Sequence, residues 1–131
     1  MKCVIADSSV TMRRILTNAL RTLGCDQILE TRDAGEALAL CEQNPDLVIL
    51  NSKIGGMTGI ELVRKIREKP EFAQTRLLLV TDCNTKEHVL EAVQAGVNAC
   101  VLKPFTLDTL RIKIGRLLQL ETSEVAGTGE R

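Results

Sequence analysis

The run Leu47-Val-Ile-Leu-Asn51, followed by Ser52-Lys-Ile-Gly55-Gly56-Met-Thr58-Gly59, decides the fold. Four aliphatic residues in succession, with no polar alternation, fit a short strand buried on both faces. Asn44-Pro45 precedes the run and glycines follow it, so it is bounded by breakers on each side. Three further runs share this character: Cys3-Val-Ile-Ala6, Arg76-Leu-Leu-Leu-Val80 and Ala99-Cys-Val-Leu102. Gln27-Ile-Leu-Glu-Thr31 reads as a short strand.

The stretches between these runs have a helical period. Thr11 to Leu23 carries Met12, Ile15, Leu16, Ala19, Leu20 and Leu23, and Gly24 stops it. Asp33-Ala-Gly-Glu36 reads as an N-cap with a capping glutamate, opening a helix to about Gln43. Thr58-Gly-Ile-Glu61 is a capping box for a helix to about Glu68, before Pro70. Asn84-Thr-Lys-Glu87 caps a helix with Val89, Leu90 and Val93 that ends at Gly96. Thr106 caps a last helix with Leu107, Leu110, Ile114, Leu117 and Leu118. Strict strand–helix alternation predicts an α/β fold, a doubly wound five-stranded parallel sheet with five helices. The expected domain covers 1–120, and 121–131, which has no apolar period, is expected to be a flexible C-terminal tail.

The 131 residues suffice for one domain with a real core. With Phe72 and Phe105 the only aromatics, that core must be aliphatic. Lys plus Arg and Asp plus Glu are 17 each, and a neutral surface poor in aromatics argues against nucleic acid. Cys3, Cys25, Cys41, Cys83 and Cys100 are odd in number and lack a C-x-x-C pair, so they read as small apolar core residues, with no zinc site or disulfide framework. No signal-peptide pattern and no apolar run of membrane-spanning length is present, and the expected location is cytoplasmic.

In open parallel sheets, sites form beyond the carboxyl ends of the strands. Those ends carry Asp7-Ser8-Ser9, Asn51-Ser52-Lys53, Thr81-Asp82 and Lys103-Pro104-Phe105. Over residues 2 to about 119 the chain resembles a response-regulator receiver domain of the CheY-like, flavodoxin-like kind. The resemblance rests on Asp7-Ser-Ser-Val-Thr-Met-Arg-Arg14, the run ending at Asn51 with Gly55-Gly56-Met57-Thr58-Gly59, Leu79-Val80-Thr81, and Lys103-Pro104-Phe105-Thr106. It implies two acids after the first strand and an acceptor aspartate after the third, together holding magnesium. A hydroxyl after the fourth strand and a lysine after the fifth, followed by a cis Lys-Pro bond, would bind phosphoryl oxygens. An aromatic in the fifth strand would rotate with the switch.

By position, Asp7 matches the first acid, Thr81 the switch hydroxyl and Lys103 the lysine. Ser8 replaces the second acid, Asn51 the acceptor and Cys100 the aromatic, and Gly55 stands where the loop usually has proline. An acyl phosphate needs a carboxylate nucleophile, and an amide cannot supply it. The expectation is therefore a stand-alone pseudo-receiver, not an enzyme, with no cofactor and with magnesium binding weak or absent. Protein partners, including a histidine kinase or a chemotaxis component, or a second copy in a homodimer, would dock on the fourth helix, fifth strand and fifth helix. Candidate contacts there are Lys86, Glu87, Glu91, Gln94, Asn98, Thr109 and Lys113. The alternatives are a working phosphorelay regulator with a shifted acceptor and a flavodoxin-like small-molecule binder. Within the pocket, the Lys103 ammonium is expected within bonding reach of Asp7 or the Asn51 oxygen, and the Asn51 amide is expected to donate to Asp7 or to a backbone carbonyl. His88 reads as a solvated or partner-facing residue, and Arg13 and Arg14 as a solvated helix face.

Overall fold

The computed structural model describes residues 1–119. Its main strands are β1 (Lys2–Ala6), β2 (Gln27–Thr31), β3 (Leu47–Asn51), β6 (Arg76–Thr81) and β7 (Ala99–Leu102). They form one parallel sheet in the order β2-β1-β3-β6-β7. The helices are α1 (Val10–Thr22), α2 (Ala34–Leu40), α3 (Gly59–Arg67), α4 (Lys86–Ala95) and α5 (Leu107–Leu118). This is the doubly wound, flavodoxin-like arrangement expected from the alternating runs. The tail expected over 121–131 lies outside the described residues.

Because side chains alternate along a strand, each central strand feeds two cores. Cys3, Ile5, Ile49, Leu78 and Val80 pack beneath α1 and α5 with Leu16, Leu20, Leu110 and Ile114. Val4, Val48, Leu50, Leu77 and Leu79 pack beneath α2, α3 and α4 with Ala37, Leu62, Val63, Ile66 and Ala92. Each fully buried Leu or Ile contributes about 1.5–3 kcal/mol through area removed from water.

Local signals explain the element ends. Ser9 accepts from the Met12 amide to start α1, and Thr58 and Glu61 complete both halves of the capping box of α3. Asp33 caps α2 through the Glu36 amide. The Glu36 carboxylate turns instead to the Thr31 hydroxyl, so the expected capping glutamate does not reach back to Asp33. The helix expected to Gln43 is α2 followed by a 3-10 turn over Cys41–Gln43. Helix α4 is capped by Thr85, one residue later than expected from Asn84, through a bond from the His88 amide.

Two short antiparallel strands, β4 (Lys53–Ile54) and β5 (Met57–Thr58), fold the glycine loop into a hairpin that the sequence pattern did not signal. Its Gly55 amide donates to the Arg32 carbonyl at 3.2 Å, a bond that proline could not make. Helix α4 also departs from its reading. It buries Ala92 and Ala95, while Val89, Leu90 and Val93 remain 36%, 57% and 56% exposed.

Candidate functional site

The register of the sheet builds the pocket. Ala6 pairs with Leu50 across β1 and β3, so Asp7 and Asn51 follow side by side at the carboxyl ends. Both continue the alternation of Ile5 and Ile49 and lie on the α1–α5 face. Gly59 lets α3 begin against this edge, since a Cβ there would meet the Asn51 carbonyl oxygen at 2.3 Å and Leu79 Cδ1 at 2.7 Å.

Asp7 is 1% exposed. Its Oδ1 accepts the Ser9 amide at 2.8 Å. Asn51 Nδ2 donates to the Lys53 carbonyl at 3.0 Å, which fulfils the expected bond to a backbone acceptor. Asp7 Oδ2 and Asn51 Oδ1 are buried and have no partner among the described residues. Burial pushes the Asp7 carboxyl up from its ordinary value, while the Ser9 amide and the charges of Lys103 and Arg13 pull it down.

Lys103 does not make the expected contact. Among the described residues its ammonium bonds neither Asp7 nor Asn51, whose facing oxygens stay unpaired. Its half-buried side chain keeps contact with water, and a partly hydrated pair gains little over solvation. The cis Lys103–Pro104 bond implied by the resemblance is present. Nor is Lys103 the only base near Asp7. Arg13 leaves the solvated face expected for it, donates to the Asp7 carbonyl at 2.7 Å and pairs with Glu30 at 3.2 Å.

Thr81 belongs to the opposite face of the sheet. It continues the alternation of Leu77 and Leu79, which lie under α3 and α4. Its buried hydroxyl accepts the Cys83 amide at 3.1 Å and lies 3.1 Å from His88 Nε2. His88 is half-buried and bonded, which departs from the solvated half of the solvated or partner-facing reading. Ser52 shares this side and lines a groove of about 410 Å³ with Thr81, His88, Lys53 and Arg64. The predicted constellation is thus divided between two faces of the sheet edge, and Ser8 stands exposed beside it. No sequence signal marked His88, because nothing in a helical period shows which turn leans on a neighbouring strand end.

Cys100 is half-buried in β7 and borders a hollow of about 500 Å³ with Val89, Leu102, Phe105 and Lys113. Burial pushes its thiol up from the ordinary value. Of the expected partner residues, Lys86, Glu87, Glu91, Gln94, Asn98 and Thr109 are exposed and Lys113 is half-buried. Three of them also bond within the chain. Glu91 pairs with Arg64 at 3.1 Å, Asn98 accepts from Arg67 at 3.0 Å and from the Leu77 amide at 2.7 Å, and Lys113 donates to the Cys100 carbonyl at 2.7 Å.

Magnesium takes hard, preferably anionic oxygens. The two unpartnered oxygens of the pocket fit half of that requirement, since only Asp7 is anionic and two cations stand close to it. Among the described residues no three His, Cys, Asp or Glu side chains converge. The side chains present do not fit the ion.

The doubly wound parallel sheet gathers polar residues at the ends of β1, β3, β6 and β7, beside the point where strand order reverses and sheets of this kind place their sites. The chain belongs to the response regulator receiver domain family, which matches it over residues 3–115. It is 38% identical over 120 residues to chemotaxis protein CheY-3 of Vibrio cholerae, covering 91% of this chain and 92% of that protein. Chemotaxis protein CheY of Pseudomonas aeruginosa is likewise 38% identical, with 91% and 97% covered. The structure of the chemotaxis response regulator CheY4 of Vibrio cholerae superposes with a TM-score of 0.81 at 28% identity, covering 90% of this chain and 99% of that one. The protein is a signalling module related to chemotaxis and two-component regulators. No helix among the described residues is long and apolar enough to cross a membrane.

Proposed function

We propose that this chain is a cytoplasmic pseudo-receiver, a module that binds protein partners without being phosphorylated. The observation that carries this reading is Asn51, seated beside Asp7 at the end of β3 with its amide nitrogen engaged by the Lys53 carbonyl. An amide offers no carboxylate oxygen to a phosphodonor. Its bond to Lys53 also occupies the side chain with a structural task. Magnesium binding is weak or absent because the pocket holds a single carboxylate next to Lys103 and Arg13.

The partner face lies on α4, β7 and α5. Leu90, Val93, Leu102 and Leu107 are 57%, 56%, 43% and 49% exposed there, with Lys86, Glu87, Gln94 and Thr109 also accessible. An apolar centre with a polar border suits a protein surface, such as that of a histidine kinase or another chemotaxis component. The relation to chemotaxis proteins supports the same choice.

The test is intact-mass measurement after incubation with acetyl phosphate and magnesium. The mass stays unchanged on this reading. A stable gain of one phosphoryl group on any pocket residue would instead make the chain a phosphorelay regulator with a shifted acceptor.

A further inference from the structure

The sheet edge carries a second polar link that the receiver reading leaves unused. Thr81 is 0% exposed and closes β6 on the side covered by α3 and α4. His88 is the third residue of α4, and its backbone amide is pinned to the Thr85 hydroxyl at 3.1 Å. That cap fixes where the imidazole starts, and the ring reaches Thr81 Oγ1 at 3.1 Å. One hydrogen bond thus joins a strand end of the signalling site to the helix that presents Leu90 and Val93.

The chemistry of the hydroxyl decides the direction of this bond. A threonine hydroxyl has one proton to give and two lone pairs to accept with. The Cys83 amide already occupies one lone pair at 3.1 Å. If Nε2 carries no proton, Thr81 donates to it, and the buried hydroxyl keeps both its acceptor and donor roles satisfied. If Nε2 is protonated, the ring becomes the donor and the Thr81 proton must turn away. Around a fully buried hydroxyl such a turned proton is costly unless another acceptor meets it. The first arrangement satisfies the hydroxyl completely, which favours the Nδ1–H tautomer with Nε2 accepting.

We infer that His88 is a positioning residue that couples the Thr81 hydroxyl to α4, and that protonating its imidazole reverses this bond and rearranges the β6–α4 junction. The charged groups lining the same groove are Lys53 of β4, Glu61 and Arg64 of α3, Glu91 of α4 and Asp82 of the junction, with the Cys83 thiol beside them. Glu91 and Arg64 neutralise each other at 3.1 Å, and Glu61 is held by the Thr58 amide at 2.9 Å. No carboxylate is bonded to His88 among the described residues, so the neutral hydroxyl is its ring partner.

The bond itself rests only on the geometry, while its meaning for partner docking rests on the proposed function. The test therefore uses neither phosphodonor nor partner. Nitrogen-15 spectra of the ring and the backbone are followed from pH 8 to pH 5 in the wild-type chain and in Thr81→Val, Thr81→Ser and His88→Gln. The expected result is an accepting Nε2 at pH 8, with the Cys83, Val89 and Leu90 amides shifting in step with the ring as pH falls. Thr81→Ser keeps the joint response, and Thr81→Val and His88→Gln lose it at Cys83. An Nε2–H tautomer at pH 8, Cys83 amide signals that stay flat while the ring titrates, or an unaltered joint response in Thr81→Val would each overturn the inference.

Discussion

The side-chain nitrogen of Asn51 donates to the carbonyl oxygen of Lys53 at 3.0 Å, so the residue that ends β3 ties down its own loop. An aspartate has no proton to give at neutral pH and would set a carboxylate against that carbonyl. Asn51→Asp is expected to lower stability by about 1 kcal/mol, the usual net worth of one hydrogen bond. Amide exchange should accelerate through the β4–β5 hairpin. Unchanged exchange between Lys53 and Thr58 would show that the bond holds nothing in place.

Restoring the receiver pattern requires more than one carboxylate. Ser8→Asp with Asn51→Asp would give the pocket three acids beside Asp7's present cations. Calorimetry is expected to find no magnesium site tighter than about millimolar in the wild-type chain and a measurable one in the double variant. Intact mass after acetyl phosphate should rise in the double variant alone or most strongly there. A wild-type site at ~0.1 mM would contradict the charge argument.

The pH dependence of Asp7 has a definite sign. Burial raises its carboxyl in the folded chain, so the neutral acid is the form that folding favours. That contribution is complete below the unfolded value of about 3.9 and is lost as pH rises through the raised folded value. Asp7→Asn keeps a neutral group at every pH. Its stability relative to wild type should therefore climb in urea unfolding as pH rises above about 4. A relative stability that falls over this range would mean that Lys103 or Arg13 outweighs burial.

Gly59→Ala tests how α3 is seated. The added methyl would lie 2.3 Å from the Asn51 carbonyl oxygen, which is backbone and cannot swing aside. The expected loss is about 1–3 kcal/mol, as for other overpacked sites, with the urea midpoint as the readout. A midpoint equal to wild type would show that the helix can withdraw from β3 freely.

Arg67 shows a similar dependence on distant backbone. Its guanidinium donates to the carbonyls of Gly96 at 3.0 Å and Phe72 at 2.8 Å and to Asn98 Oδ1 at 3.0 Å. Arg67→Ala would strip donors from three acceptors at once, and a loss of about 3 kcal/mol is expected in the same unfolding measurement. A loss well under 1 kcal/mol would mean that water replaces the guanidinium without penalty.

The sequence by itself determined the five strands, the five helices and their alternation, because continuous aliphatic runs and caps such as Thr58 and Glu61 are local signals. It also placed Asp7, Asn51, Thr81 and Lys103 at strand ends, where a parallel sheet gathers its polar groups. Which of these residues touch was decided only by the tertiary structure. Strand alternation and register put Asp7 with Asn51 on one face and Thr81 with His88 on the other. Long side chains were the least legible, since Arg13 and Lys113, read as surface residues, and Arg67, which no signal marked, reach carbonyls of other elements. The outward turn of Leu90 and Val93 was equally hidden, because α4 meets the sheet through Ala92 and Ala95, and an apolar residue carries no mark of which neighbour will cover it.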